Sequence, residues 1–227
     1  MRLTQRDERL IRDIALSHVL SRDQIVVLGY FGSVTRLNAR LRELVARRYV
    51  SVFETPFFEQ NLYVAGKAAP AIVGERIAAV ISGRSPTPRF VQHALAVTET
   101  RIALLKARCT DWRFEAQLRL SFLSGGRTWQ VRPDGMVRRN GRITLLEIDM
   151  GHVDPGKFAR KLKSYQALLE SGEAHRTWNE REFSVLTITS GRLRKSRLSR
   201  LVPAGSDVCF DFQIFDDLGI RVAGGWS

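Results

Sequence analysis

Cysteine is scarce, acidic residues are outnumbered, and no long apolar run interrupts the chain; each shortage removes a class of protein. The two cysteines in 227 residues, Cys109 and Cys209, lie far apart and belong to no CxxC or Cys/His spacing. That excludes a disulfide framework and a zinc site, and buried free thiols are expected instead. No apolar segment approaches the roughly 18 to 20 residues of a membrane-spanning helix. The opening MRLTQRDERL is too polar for a secretory signal, so a cytoplasmic protein without a membrane partner is expected. Internal repeats and low-complexity tracts are missing as well. Against 36 Lys+Arg stand only 23 Asp+Glu, a formal charge of +13. That balance calls for a polyanionic partner, nucleic acid first, because no segment joins clustered Lys/Arg to a continuous apolar face that could lie on a membrane. With 44% hydrophobic residues the chain can fill one large core or two modest ones.

From the start, LTQRDERLIRDIALSHVL places Leu10, Ile11, Ile14 and Ala15 on one helical stripe, with Thr4 as N-cap and Asp7 three residues on. SRDQIVVLGYFG carries the same capping spacing at Ser21 and Gln24 and gives a short second helix. SVTRLNARLRELVARRYV predicts a third helix from Ser33 to Arg48, burying Val34, Leu37, Leu41, Leu44 and Val45 and turning Arg36, Asn38, Arg40 and Arg42 outward. YVSVFE and QNLYVA then read as two strands around TPFFE. Helix, short helix, basic helix and hairpin is the order of a winged helix, and residues 1–66 resemble the winged-helix domains of bacterial regulators. Arginine and asparagine reach both base edges and phosphates, so Arg36, Asn38 and Arg40 are the candidate contacts to double-stranded DNA.

Residues 67–88 form an Ala-rich helix over 71–81 and a Ser/Pro loop, and are the candidate linker. A long helix follows from Pro88 to Lys106, its buried stripe running through Val91, Leu95, Thr98, Ile102 and Leu105. Residues 89–227 then read helix, hairpin, helix, strand, helix, strand: an α/β pattern (α+β overall) with a mixed sheet covered on both faces. In this reading WRFEAQLRLSFL is an amphipathic helix and TWQVRPDGMVRR one strand.

Three acids stand out in RPDGMVRRNGRITLLEIDM. Asn140-Gly141 is a strong two-residue hairpin signal, and it fixes a register in which Asp134 faces Glu147, with Asp149 on the same face. Such a face is untenable unless a cation occupies it or the acids protonate. Mg²⁺ or Mn²⁺ is the natural occupant, held by Asp134 and Glu147. On the next helix, Phe158, Leu162, Tyr165 and Leu169 form the buried stripe, and Lys161 falls on the same side, able to neutralise the acids or orient a water beside a phosphate. The run RLRKSRLSR, with five cations and no acid, suits either phosphate-backbone contacts or a solvated helix face.

RPDG followed across a hairpin by LLEIDM resembles the PD-(D/E)xK nuclease core, in which an Asp and a Glu hold Mg²⁺ and a Lys two residues later assists attack on phosphate. Here Asp149 takes the lysine position, and the resemblance implies that Lys161 replaces it from the helix. The whole chain is similar to the replication-relaxation family of plasmids and other mobile elements: winged helix, then W..E..LR (Trp112, Glu115, Leu118, Arg119), RPDG, LEIDMG and KL..Y (Lys161, Leu162, Tyr165). That similarity implies a further carboxylate role for Glu115, from a helix preceding the hairpin. It implies a DNA-binding protein of replication or mobilisation with a metal-dependent cleaving or nicking domain, and is compatible with a homodimer. The alternative is a non-catalytic DNA-binding regulator on a degenerate nuclease fold. A relaxase-like reaction would use Tyr165 or His152 as nucleophile.

Overall fold

The computed structural model describes residues 2–56, 58, 61–82 and 87–221, and divides into two compact units, 1–102 and 103–221. The tip of the expected wing and most of the Ser/Pro loop lie outside the described residues. Both helices and strands are abundant, one sheet is mixed, and the class is α+β.

The first unit opens with helix α1 (Gln5–Ser17), followed by strand β1 (Leu20–Ser21), helices α2 (Arg22–Val27) and α3 (Val34–Ala46), and strands β2 (Val50–Phe53) and β3 (Leu62–Ala65). Local chemistry sets these boundaries. The Thr4 hydroxyl accepts the Asp7 N–H while the Asp7 carboxylate accepts the Thr4 N–H, at 3.3 and 2.7 Å, and Ser21 and Gln24 do the same for α2. The three strands pair antiparallel in the order β1-β3-β2. Beneath them Leu10, Ile14, Leu37, Leu41 and Leu44 are almost wholly buried, each contributing about 1.5–3 kcal/mol of hydrophobic stabilisation. Val34 does not join this core; at the first turn of α3 it is 47% exposed.

The Ala-rich stretch forms two helices rather than one, α4 (Pro70–Val73) and α5 (Glu75–Ser82), because Gly74 breaks the run with φ +83°. The long helix α6 (Pro88–Lys106) forms as expected, and its Val91 and Leu95 pack on Val19 and Leu62. Gln24 donates its amide to Leu95 O (3.0 Å) and the Glu99 carboxylate (2.9 Å), and buried Asp13 accepts from Arg101 at 2.5 Å. The two compact units divide inside α6, at 102/103. Leu105, expected in the buried stripe, is 37% exposed.

Arg40 corrects another expectation. Its guanidinium turns back across α3 to the wholly buried Asp7, with Nε 2.8 Å from Oδ1 and Nη2 on Oδ2, while Nη1 meets Glu43 at 2.6 Å. Burial pushes the Asp7 carboxyl up, but the hydrogen bonds from Arg40 and Thr4 outweigh it and hold the group at about 2. The pair's stabilisation is present above the ordinary value of 3.8 and is lost as pH falls toward 2. Arg40→Ala should thus cost about 3 kcal/mol by stranding a buried carboxylate, whereas exposed Arg36→Ala should cost under about 0.5 kcal/mol. Urea midpoints of the two variants compare them directly.

The second unit contains β4 (Thr110–Phe114), a one-turn helix α7 (Glu115–Leu118), β5 (Leu120–Ser124), β6 (Arg127–Val131), β7 (Gly135–Arg139) and β8 (Arg142–Asp149). Helices α8 (Pro155–Glu170) and α9 (Glu173–Trp178), β9 (Phe183–Thr189), α10 (Arg192–Ser199), β10 (Cys209–Ile214) and a 3-10 turn (Phe215–Leu218) complete it. The segment expected as one amphipathic helix is strand, helical turn, strand. Gly125 and Gly126, both at positive φ, close a β5-β6 hairpin that claims Leu120–Ser124. Likewise TWQVRPDGMVRR is two strands, since Pro133 has no N–H to continue a ladder. The main sheet runs β10-β9-β8-β7-β4, with β8, β9 and β10 parallel and β7 and β4 antiparallel. Tyr165 and Leu168 of α8 cover the face carrying Met136, Ile143, Leu145 and Val185, and Leu198 of α10 packs on Phe158, Leu162 and Phe212. Cys109 is buried, but Cys209 is exposed on the edge strand, against expectation.

Candidate active site

Asn140 and Gly141 both adopt positive φ (50° and 78°), as a type I′ turn requires, and the pairing runs from Arg139↔Arg142 to Gly135↔Leu146. Beyond that last pair Asp134 leaves the ladder but stays beside it: its N–H donates to Leu146 O at 2.8 Å, its Oδ2 accepts the Ile148 N–H at 2.7 Å, and its charge reaches Glu147. Gly135 is required here because a Cβ would stand 2.7 Å from the Trp112 ring. The tryptophan of W..E..LR thus seals the turn of RPDG.

Glu147 is 3% exposed in the middle of the sheet. Its two oxygens are taken by Lys161 Nζ and Tyr165 Oη. Both come from α8, which starts at Pro155 with Asp154 capping the Lys157 N–H at 3.0 Å; four residues apart, they share the inner face. Burial pushes the Glu147 carboxyl up to about 7; Lys161 opposes this and the Asp134 charge adds to it. Burial lowers Lys161, yet Glu147 and Asp134 more than offset that and keep it charged, while burial and the same acids raise the Tyr165 phenol well above its ordinary range. The Lys161 side chain keeps about a third of its surface open to solvent.

Asp149 shares the face but not the site. It is 2% exposed and held by Arg194 in a two-pronged ion pair, Nε to Oδ2 at 2.8 Å and Nη2 to Oδ1 at 3.0 Å. Thr189 Oγ1 adds a bond at 2.7 Å, and Arg194 also donates to Val153 O. Arg194 escaped the sequence reading because it sits among five cations of similar appearance. Its inward placement follows from Leu198, four residues on, which anchors α10 to the core. Glu115, at the first position of α7 and not on a long helix, accepts from Arg119 at 3.2 Å and from Arg132 Nε. Its charge reaches Lys161 and helps raise it. Among the described residues no group of three or more His, Cys, Asp or Glu is placed to hold a metal ion. Asp134 and Glu147 remain as neighbouring acids.

On α3, Arg36 and Arg42 are exposed, Asn38 is half-buried, and Arg40 is engaged as described above. A cavity of about 650 Å³ opens at the other end of the main sheet, lined by Arg142, Thr144, Ser184 and Asp211 among others, and shares no residue with the acids.

The chain is thus an α+β protein whose mixed sheet carries a buried glutamate closed by a helix-borne lysine. The replication-relaxation family model matches residues 11–181, and the chain belongs to that family. Membership suggests a role in plasmid or mobile-element replication. No curated relative matches the sequence. Among solved structures, protein VC1899 from Vibrio cholerae aligns over 96% of this chain at 11% identity and TM-score 0.35; the chain spans 55% of that structure's length. No helix of the described residues is long and apolar enough to cross a membrane.

Proposed function

We propose that this is a DNA-binding protein of plasmid or mobile-element replication, whose first unit is a winged helix and whose second unit, a PD-(D/E)xK-like fold, cleaves or nicks the phosphodiester backbone. The carrying observation is Glu147: a carboxylate buried at mid-sheet, beside Asp134 and closed by Lys161 and Tyr165. An apolar strand gains no stability from such a group. A magnesium-type cation would be held by the Asp134 and Glu147 carboxylates, hard oxygen donors of the kind it takes, in competition with Lys161 for Glu147, and would supply Lewis-acid polarisation and a more acidic water. Asp149 is not available to it, being neutralised by Arg194. Lys161, partly open to solvent, offers its ammonium to charge developing on a phosphate oxygen. Tyr165 orients the Glu147 carboxylate. Wholly buried and with its acidity suppressed, it is unsuited to be a relaxase nucleophile, and His152 is exposed, with no acid bonded to it among the described residues.

The non-catalytic reading draws on the same compensation: both buried acids already have cations, as a structural network would. A supercoiled plasmid assay with Mg²⁺ or Mn²⁺ separates the two. The enzyme reading expects nicked circles from the wild type and none from Asp134→Asn, with duplex affinity equal in both. Intact plasmid throughout supports the regulator. For the first unit, Arg36→Ala and Arg42→Ala should each weaken duplex binding and lower the salt slope by about one per lost phosphate contact. Unchanged affinity at two salt concentrations would remove α3 from the interface.

A further inference from the structure

The row of residues ending the main sheet is built with cations outside and acids within. Phe114 pairs with Gly135, Gly135 with Leu146 and Leu146 with Leu186, so Glu115, Asp134 and Glu147 follow along one sheet edge, with Asp149 and Thr189 just beyond. Strands stand about 4.8 Å apart, so the edge from β4 to β9 spans roughly 14 Å. At its β9 side Arg194 is spent on Asp149. At its β4 side the balance differs: one carboxylate, Glu115, holds two guanidiniums, Arg119 and Arg132, through a single oxygen.

Exposure gives this triad a direction. The Glu115 side chain is 13% exposed, against 38% for Arg119 and 49% for Arg132, so the carboxylate is the most enclosed member and both arginines keep over a third of their side-chain surface open to solvent. Each guanidinium carries five donors in a planar array matched to phosphate oxygens. The triad has a net positive charge and adjoins the acid pair closely enough for Glu115 to act on Lys161. Ion pairs this exposed add little to stability, typically about 0–1 kcal/mol. An acidic site that is to accept a polyanion, on the other hand, needs fixed cations at its border.

We infer that Arg119 and Arg132, presented side by side on Glu115, clamp the phosphate backbone of a DNA strand next to the Glu147–Lys161 pair. The inference rests on the DNA-acting function proposed above and adds where the strand lies. Arg132 stands two residues before Asp134, so a phosphate held on the clamp is delivered at the turn that positions the catalytic carboxylates.

The test uses the full chain carrying Arg36→Ala and Arg42→Ala, to reduce binding by the first unit, and a fluorescein-labelled single-stranded oligonucleotide read by anisotropy across a salt series. Adding Arg119→Ala and Arg132→Ala should lower the salt slope by about 1.4, from roughly 0.7 per phosphate contact on a single strand, and weaken binding about tenfold or more at low salt. Arg142→Ala, at the opposite end of β8 and 80% exposed on its side chain, should change neither. Equal slopes with and without the arginine pair, or an equal loss from Arg142→Ala, overturn the clamp while leaving DNA binding in place. A parent chain that binds no DNA, even before any substitution, overturns the clamp and the proposed function together. If the alanine pair does not fold, Arg119→Gln with Arg132→Gln keeps donors for Glu115 and removes the charge, and the same slopes decide.

Discussion

Truncating Arg194 to alanine should destabilise the second unit by about 3–5 kcal/mol, the range for stranding one member of a buried ion pair. Asp149 is 2% exposed, and Arg194 supplies two of the bonds to its carboxylate while also tying Val153 O, so three acceptors each lose a donor at once. Thr189 alone cannot compensate a full charge. Asp149→Asn in the same chain should recover much of the loss, because the amide no longer needs a cation. Arg194→Lys should fall between, since an ammonium cannot bridge both oxygens and reach the carbonyl. Trp112, Trp129 and Trp178 all lie in this unit, so fluorescence-detected urea melts report on it, and a double-mutant cycle gives the coupling. A loss within about 0.5 kcal/mol for Arg194→Ala would mean that water replaces the guanidinium and that the pair is not structural.

Glu147→Gln should leave stability unchanged in acid and raise it above neutrality. In the unfolded chain the carboxyl titrates near 4.5, in the folded chain at about 7. The folded state therefore holds the proton more tightly. The stabilisation from this group is complete below 4.5 and is lost as pH rises through about 7, a change on the order of 3 kcal/mol. Glutamine mimics the protonated acid at every pH, so the variant should match the wild type in acid and exceed it above neutrality. Mn²⁺ should act oppositely. It needs the ionised carboxylate, so its stabilisation of the wild type should grow as pH passes about 7 and reach about 2.7 kcal/mol at a hundredfold excess over its dissociation constant. Glu147→Gln should show no such gain, and thermal melts of both proteins with and without Mn²⁺ at two pH values measure it. Equal metal shifts in the two proteins would place any cation elsewhere and remove the acid pair from the chemistry.

Much of the site could be read in the chain because its determinants are local. The Asn140-Gly141 turn fixes the register of the acids, Asp154-Pro155 starts α8, and the spacing from Phe158 to Tyr165 puts Lys161 on the inner face. The capping pairs Thr4/Asp7 and Ser21/Gln24 set two helices of the first unit in the same way. What was hidden is nonlocal. Arg40 meets Asp7 across 33 residues and Arg194 meets Asp149 across 45, and no periodicity distinguishes a cation that turns inward from its solvated neighbours. The stretch from Trp112 to Leu123 misled for another reason: Leu118 and Phe122 are buried four apart, which mimics a helix, yet Phe122 is an inward strand residue whose hairpin is declared only by Gly125-Gly126. Gly74 splits the Ala-rich helix by the same means, one residue of positive φ outweighing the helix preference of its neighbours.

The two-residue turn at Asn140-Gly141 acts as a distant gauge for the placement of Glu147. From Arg142 to Glu147 the strand runs roughly 17 Å, at about 3.4 Å per residue, with no bulge in the paired residues to absorb an error. Side chains alternate faces, so a one-residue insertion in the turn that slid β8 along its neighbours would carry Glu147 to the opposite layer, beyond the reach of Lys161, and bring Leu146 or Ile148 under the ammonium. Length variation in this family should accordingly be confined to loops that do not set this register. The hairpin tip, although exposed and remote from the acids, should tolerate changes of residue that keep positive φ but no change of length.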